Sequence, residues 1–415
     1  MKKQLFLLGL PGFLTLNSFA QTSATVSVGA NYADQKWYSF QNGIQATQPK
    51  DNWDLAFEVT GYSSAILANT QKSNFALYKA PYKIADYATL DTAGISNWTV
   101  LYNSDTTWTI GALNRGANPS DPFDLGWGLY DLNTHFVTGD SCYVVKLSAT
   151  SYKKIKLINL ANGIYNFEYA NINGTSSQTV ALDKSNYTGK NFVYFDMTGN
   201  AAIDREPASS TWDLTFVKYT AFIPVPYPVV GVLSNKGVTV AQADNVAASY
   251  STWASLPFYS NISTVGSDWK GFDLTNNVWN IVSDTCYFVH DKSGNIWKMA
   301  FTAFGGSTNG NIVFNQQKIS VTGIATNNQV VSNVAVYPNP SAGDIANLLF
   351  SSEASVGEMS VSITDLNGRV LSSEIIHVEA GLTRHALDTK ALSSGLYLVQ
   401  LSAGSSVTTQ KLVKH

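Results

Sequence analysis

Cysteine is nearly missing: the 415 residues contain two, Cys142 and Cys286. So few exclude a disulfide-stapled scaffold, and no Cys-x-x-Cys occurs to suggest a redox or zinc site. Charge is thin as well, with 13% charged residues and a formal net charge of -3, which gives no basic footprint for nucleic acid. Beyond the first twenty residues no apolar run reaches about 18 residues, the length a membrane-spanning helix needs. There is no His-Glu-x-x-His, no Gly-x-Ser-x-Gly and no phosphate-cradling glycine loop, and the few glutamates are scattered. Metalloprotease, serine hydrolase, nucleotide and paired-carboxylate chemistry therefore lack their residues. The expectation is a protein that is not an enzyme, holds no metal, contacts no nucleic acid and spans no membrane.

What is present is a supply of aromatics, Asn, Ser, Thr and Gly suited to short strands and polar loops. Trp53-Asp54-Leu55-Ala56-Phe57 alternates in the period-two pattern of a half-buried strand and returns as Trp212-Asp213-Leu214-Thr215-Phe216. Trp37 to Phe40 precedes the first as Phe192 to Phe195 precedes the second, and Ser141-Cys142-Tyr143-Val144-Val145 matches Thr285-Cys286-Tyr287-Phe288-Val289. Three echoes in one order, shifted by roughly 140 to 160 residues, predict a duplicated globular unit rather than a short-period solenoid. A weaker echo pairs the Trp127 segment with the Trp269 segment. Trp98 to Tyr102 and Thr107 to Leu113 also read as strands. Pro224, Pro226 and Pro228 confine their stretch to an edge or an extended loop, because proline cannot donate to a ladder.

The fold class predicted is all-β: two related antiparallel β domains from an internal duplication, plus a small C-terminal β-sandwich. Residues 1–20, with Lys2-Lys3, an apolar run and Ser18-Phe19-Ala20, read as a signal peptide. The first domain is expected over residues 21–185, the second over 186–321, a polar linker over 322–333 and the last unit over 334–415.

The last unit resembles the type A C-terminal sorting domain of the type IX secretion system of Bacteroidetes. The matching residues are Tyr337-Pro338-Asn339-Pro340, Asp365 to Arg369, Ser394 to Val399 and Lys411 to Lys414. The resemblance implies contact of residues 334–415 with the type IX machinery, passage across the outer membrane, and a place at the cell surface or outside the cell. The two preceding units resemble the HmuY-like haem-binding family. That resemblance rests on the two Trp-Asp-Leu strands, on Val229 to Asn235, and on Cys286 to Val289 with Gly294 to Met299. It implies an all-β binding protein for haem or a related porphyrin. A six-coordinate haem needs two axial donors on opposite sides of the iron. His135, His290 and Met197 are the candidate donors, although the two histidines do not occupy matching places in the repeats.

Other residues have plainer readings. Cys142 and Cys286 are expected as small buried hydrophobes, with an inter-repeat disulfide left open. Asp54 and Asp213 are placed to cap a loop or pair with a lysine. Met299 shares a core face with Trp297 and Phe301. Trp98, Trp108 and Trp253 would form a carbohydrate platform if they were exposed and coplanar. Two functions follow: haem or porphyrin binding by an exported protein, or a surface adhesion module that takes a glycan or protein without haem.

Overall fold

The computed structural model describes residues 20–60, 64–321, 331–352, 355–366, 368–403 and 406–415. The predicted signal peptide, apart from Ala20, lies outside the described residues, as does most of the predicted linker. The described residues are nearly all β, with one short helix, Gly306–Asn309, and several single 3₁₀ turns. In chain order the strands are β1 (Thr22–Ser27), β2 (Asp34–Ser39), β3 (Gly43–Pro49), β4 (Leu55–Glu58), β5 (Ile66–Ala68), β6 (Ala76–Lys83), β7 (Gly128–Tyr130), β8 (Val137–Gly139), β9 (Ser141–Lys146), β10 (Tyr152–Ala161) and β11 (Ile164–Asn171). There follow β12 (Gln178–Asp183), β13 (Phe192–Asp196), β14 (Ala201–Ile203), β15 (Leu214–Phe222), β16 (Pro226–Ser234), β17 (Thr239–Ala243), β18 (Lys270–Asp273), β19 (Val278–Ile281), β20 (Cys286–His290), β21 (Asn295–Phe304) and β22 (Asn311–Val321).

These strands build two sandwiches. In the first, a sheet ordered β14-β13-β4-β5 faces one whose path runs β12-β11-β10-β9-β6, with β7 and β8 joined beside β10. Alternation in β4 sends Leu55 and Phe57 inward against Tyr143, Tyr165, Phe167 and Phe195. Trp53 and Ala56 point to the other face, where they pack with Leu67, Phe192 and Tyr194. In the second sandwich β3-β2-β15-β16 faces β1-β22-β21-β20-β17. Its core gathers Tyr38, Phe216, Tyr287, Trp297, Met299, Phe301 and Phe314. Trp127 and Trp269 are each fully buried, one in each core. Full burial of an aromatic ring of this size contributes about 2–3 kcal/mol over exposure.

The division of the chain differs from the expected break at 185/186. Strands β1–β3 belong to the second sandwich, where β2 pairs with β15 through Tyr38 opposite Leu214 and Trp37 opposite Thr215. Strands β12–β14 belong to the first, where β13 pairs with β4 through Phe195 opposite Leu55. The first sandwich therefore runs from β4 to β14, and the second takes β1–β3 together with β15–β22. A strand's alternation declares which face is buried but not which strand lies beside it, so the boundary could not be set from pattern.

Two further expectations are corrected. Residues 98–102 and 107–113 form no strands. They wrap as loop, with one isolated bridge of Val100 to Tyr78, because side chains satisfy the backbone instead. Asn103, for example, donates to Ala68 O at 2.8 Å and accepts from the Ala68 and Ala112 amides. The proline stretch lies where expected, since β16 is an edge strand that begins at Pro226.

The last unit is a small antiparallel sandwich with strands β23 (Ser332–Tyr337), β24 (Ile345–Ser352), β25 (Gly357–Thr364), β26 (Val370–Val378), β27 (Gly381–Asp388), β28 (Gly395–Ala403) and β29 (Ser406–Lys414). One sheet is β23-β24-β27 and the other β26-β25-β28-β29. The Tyr337-Pro338-Asn339-Pro340 segment fastens the final strand: Asn339 Nδ2 donates to Lys411 O at 2.7 Å and its Oδ1 accepts the Val413 amide at 2.8 Å.

Candidate functional site at the seam between the sandwiches

The two Trp-Asp strands open at equivalent points and are fixed by the same bonds. The Asp54 amide donates to Phe195 O at 2.9 Å, and the Asp213 amide donates to Tyr38 O at 2.8 Å. Asp54 Oδ2 accepts the Met197 amide at 2.8 Å, as Asp213 Oδ2 accepts the Phe40 amide at 2.8 Å. Each carboxylate thus caps the strand that crosses from the other half of the chain. Asn69 Nδ2 donates to Trp53 O and Lys50 O at 2.9 and 2.8 Å, and Asn235 Nδ2 donates to Trp212 O and Ser209 O at 2.7 and 2.8 Å. Asp54 also binds Lys72 Nζ at 2.7 Å, yet burial outweighs this and raises its pKa. Burial likewise raises Asp213 to about 6.

Between these caps lies Arg205, 2% exposed. Its guanidinium donates to Gln35 Oε1 and Pro49 O, both at 2.8 Å, and sits 4.8 Å from the Tyr194 ring centroid and 5.2 Å from that of Trp37. A cation held between aromatic faces and away from water is bound more strongly than at the surface. Neighbouring Glu206 accepts the Asn191 amide at 3.1 Å and the Tyr194 hydroxyl at 3.2 Å. Its complete burial carries its pKa up to about 7. Across the seam Lys236 of the second sandwich pairs with buried Glu58 of the first, Thr70 and Gln71 bond Thr220, and Trp108 Nε1 donates to Ser234 O at 2.8 Å. A cavity of about 80 Å³ lies among these residues, lined by Gln35, Trp53, Asn69, Asn103, Tyr194 and Tyr219. It is far below the roughly 300–1,000 Å³ of ordinary small-molecule pockets.

The candidate haem donors are not brought together. Met197 is 1% exposed and packs in the first core, where its amide is held by Asp54, so its thioether does not face an open ligand site. His290 ends β20 in the second sandwich, half-buried, with its ring edge-on to Phe258 at 6.2 Å and its pKa lowered by burial. His135 belongs to the first sandwich and is exposed on the turn after β7 with φ of 59°. Its Nδ1 lies 2.7 Å from the Tyr130 hydroxyl. Tyr130 in turn lines a mainly apolar hollow of about 260 Å³ with Ile110, Pro122 and Phe123, closed on its far side by Leu349 and Leu382 of the last unit. The Tyr130 signal was missed because a tyrosine in an alternating strand reads as ordinary packing.

Cys142 and Cys286 are both free and buried, and the disulfide left open in the sequence is not formed. Each faces the outer cluster of its own sandwich, Cys142 with Tyr87 and Leu90, Cys286 with Ala241 and Phe288. Burial raises both thiols, Cys142 to about 11, so neither is an activated nucleophile. Trp98, Trp108 and Trp253 pack against three separate clusters and form no common platform. Among the described residues no group of three His, Cys, Asp or Glu side chains gathers to hold a metal.

Residues 335–415 match the family model described as a secretion system C-terminal sorting domain. This tail marks the chain for export across the outer membrane to the cell surface or the extracellular space, through the type IX machinery. No curated protein matches the chain. Among solved structures it is similar to dimeric latent PorU from Porphyromonas gingivalis, at 10% identity over 95% of this chain and 34% of that one, with a TM-score of 0.19. It is also similar to the ectodomain of the C. elegans fusion protein EFF-1, at 12% identity over 95% and 94% of the two chains, with a TM-score of 0.18. A third is the BSP domain of a biofilm associated protein, at 9% identity over 97% and 67%, with a TM-score of 0.16. The chain spans about a third of the PorU chain, and scores this low carry no argument about fold or function. None of these matches shows the HmuY-like resemblance.

Two outcomes follow from the seam. Asn235→Ala takes the side-chain donor from the buried Trp212 carbonyl and the acceptor from Asn191 Nδ2, while Ser209 O keeps Lys292 Nζ. It should cost about 2–3 kcal/mol, read from the urea midpoint, and a loss under 0.5 kcal/mol contradicts the clamp. Glu206 binds its proton more tightly folded than unfolded. Its favourable contribution is complete below its ordinary value and is lost as pH rises to about 7. The stability of Glu206→Gln should therefore gain on the native chain between about pH 4.5 and 7, by on the order of 3 kcal/mol, and hold that lead above. Parallel pH profiles of the two proteins would contradict it.

Proposed function

We propose that the exported chain is a non-enzymatic interaction module whose partner contact is the β15–β16 hairpin tip. The observation that carries this reading is the exposure of Ile223, Val225 and Tyr227 at 61, 63 and 59%. Contiguous exposed apolar side chains of this size mark interaction surfaces in soluble proteins. The tip is also fixed in place. The Phe222 amide donates to Asp105 Oδ2 at 2.9 Å, and the Arg115 guanidinium lies 5.0 Å from the Phe222 ring centroid. Both partners belong to the first sandwich, so the seam holds the tip as a rigid projection and little ordering entropy opposes binding. The partner is a protein or glycan surface with an apolar face.

A second reading keeps haem, by a different donor from those expected. The hydrogen bond between Tyr130 and His135 favours this reading, because it would let the imidazole take the phenol proton as the oxygen ligates iron. The hollow beside Tyr130 would be opened by removal of the sorting domain.

Both readings are tested on the exported chain after tail removal. Immobilised extracellular-matrix proteins and glycans should include a saturable ligand whose affinity falls at least tenfold in Ile223→Asp/Val225→Asp. Absence of any such ligand, or indifference to the double variant, contradicts the interaction reading. Haemin titration decides the second: a saturable Soret change lost in both Tyr130→Phe and His135→Ala sustains it, and no saturable change removes it.

A further inference from the structure

The two sandwiches have the same strand order once β12, β13 and β14 are set against β1, β2 and β3. In the small sheets β14-β13-β4-β5 corresponds to β3-β2-β15-β16, and in the large sheets β12-β11-β10-β9-β6 corresponds to β1-β22-β21-β20-β17. Register agrees as well as order. Tyr143 lies opposite Ile155 as Tyr287 lies opposite Met299, and Leu157 lies opposite Phe167 as Phe301 lies opposite Phe314. The paired strand ends agree too, since Phe195 opposes Leu55 as Tyr38 opposes Leu214.

Read along the chain, the sandwiches are circular permutations of each other: the first begins at β4, the second at the equivalent of β12. The halves of the chain are collinear, since β1 to β11 and β12 to β22 present their corresponding strands in one order. Two independent insertions would have no reason to restore that order. We infer that residues 22–171 and 178–321 are two copies of one β unit that have exchanged their first three strands. Each half leaves open edges beside β4 and β11, or beside β15 and β22, and the partner that fits those edges is the other half. The seam is thus an exchange interface. A cut in the exposed connector at 173–177 would leave the module assembled, a useful property in a protein displayed outside the cell.

The test uses the full exported chain with a specific protease site inserted after Ser176. Once cut, the two pieces should elute together in native buffer and come apart only over the urea range in which the uncut chain unfolds. Two folded pieces that separate in native buffer would overturn the inference. Surface cysteine pairs distinguish exchange from adhesion. Ser23 lies opposite Asn315, so Ser23→Cys/Asn315→Cys should close a disulfide that joins the pieces in denaturant. In an unexchanged unit Ser23 would take the place of Thr179 opposite Glu168. Closure of Ser23→Cys/Glu168→Cys in its stead would overturn the inference, and both pairs can be read by peptide mapping of the uncut chain if the insertion disturbs folding.

Discussion

The pairing of β4 with β13 and of β2 with β15 is the constraint on which the rest depends. Each pairing joins strands from opposite halves of the chain, so neither core closes until both halves are present. The buried carboxylates at these crossings make sense in that light. Asp54 and Asp213 each accept an amide from the strand that arrives from the far half, and each is held despite burial that raises its pKa. An unpaired strand end in the same place would leave backbone amides buried without acceptors, at about 1–3 kcal/mol each.

The seam also explains why both faces of the Trp53 strand are buried. A sheet in a free sandwich exposes its outer face and shows polar residues there. Here Trp53, Ala56 and Tyr194 cover that face, and Arg205 lies against them with its charge turned to aromatic rings and to Gln35 and Pro49. The two sandwiches are joined by a lattice of buried polar contacts rather than by a hinge, and the cavity left among them is only about 80 Å³. A rigid frame is what an exposed hairpin tip needs if its apolar residues are to meet a partner without first being ordered.

Local structure was largely legible in the sequence. The alternation at Trp53 and Trp212, the edge placement of the Pro224 to Pro228 stretch and the sorting tail all depend on neighbours in the chain, where period and turn chemistry act directly. The three sequence echoes also fall on corresponding strands. The domain boundary was not legible, because pairing across more than a hundred residues leaves no local mark. An aspartate 143 positions away takes the Met197 amide and fixes that residue in the core, which nothing near it in the chain announces. Asn69 and Asn235 carry no local signal of their role. Their shared role as clamps on a preceding Trp carbonyl emerges only when the two sandwiches are compared strand by strand. The candidate haem donors stand apart for the same reason: nothing local says that His135, His290 and Met197 occupy separate surroundings.

If strand exchange makes the two sandwiches one cooperative unit, native-state hydrogen exchange of the chain in low urea tests it most directly. The amides of β4, β13, β2 and β15 should exchange only through global unfolding, with one common free energy in both sandwiches. A first sandwich that opens at a distinctly lower free energy while the second stays protected would show that the seam does not bind their stabilities together.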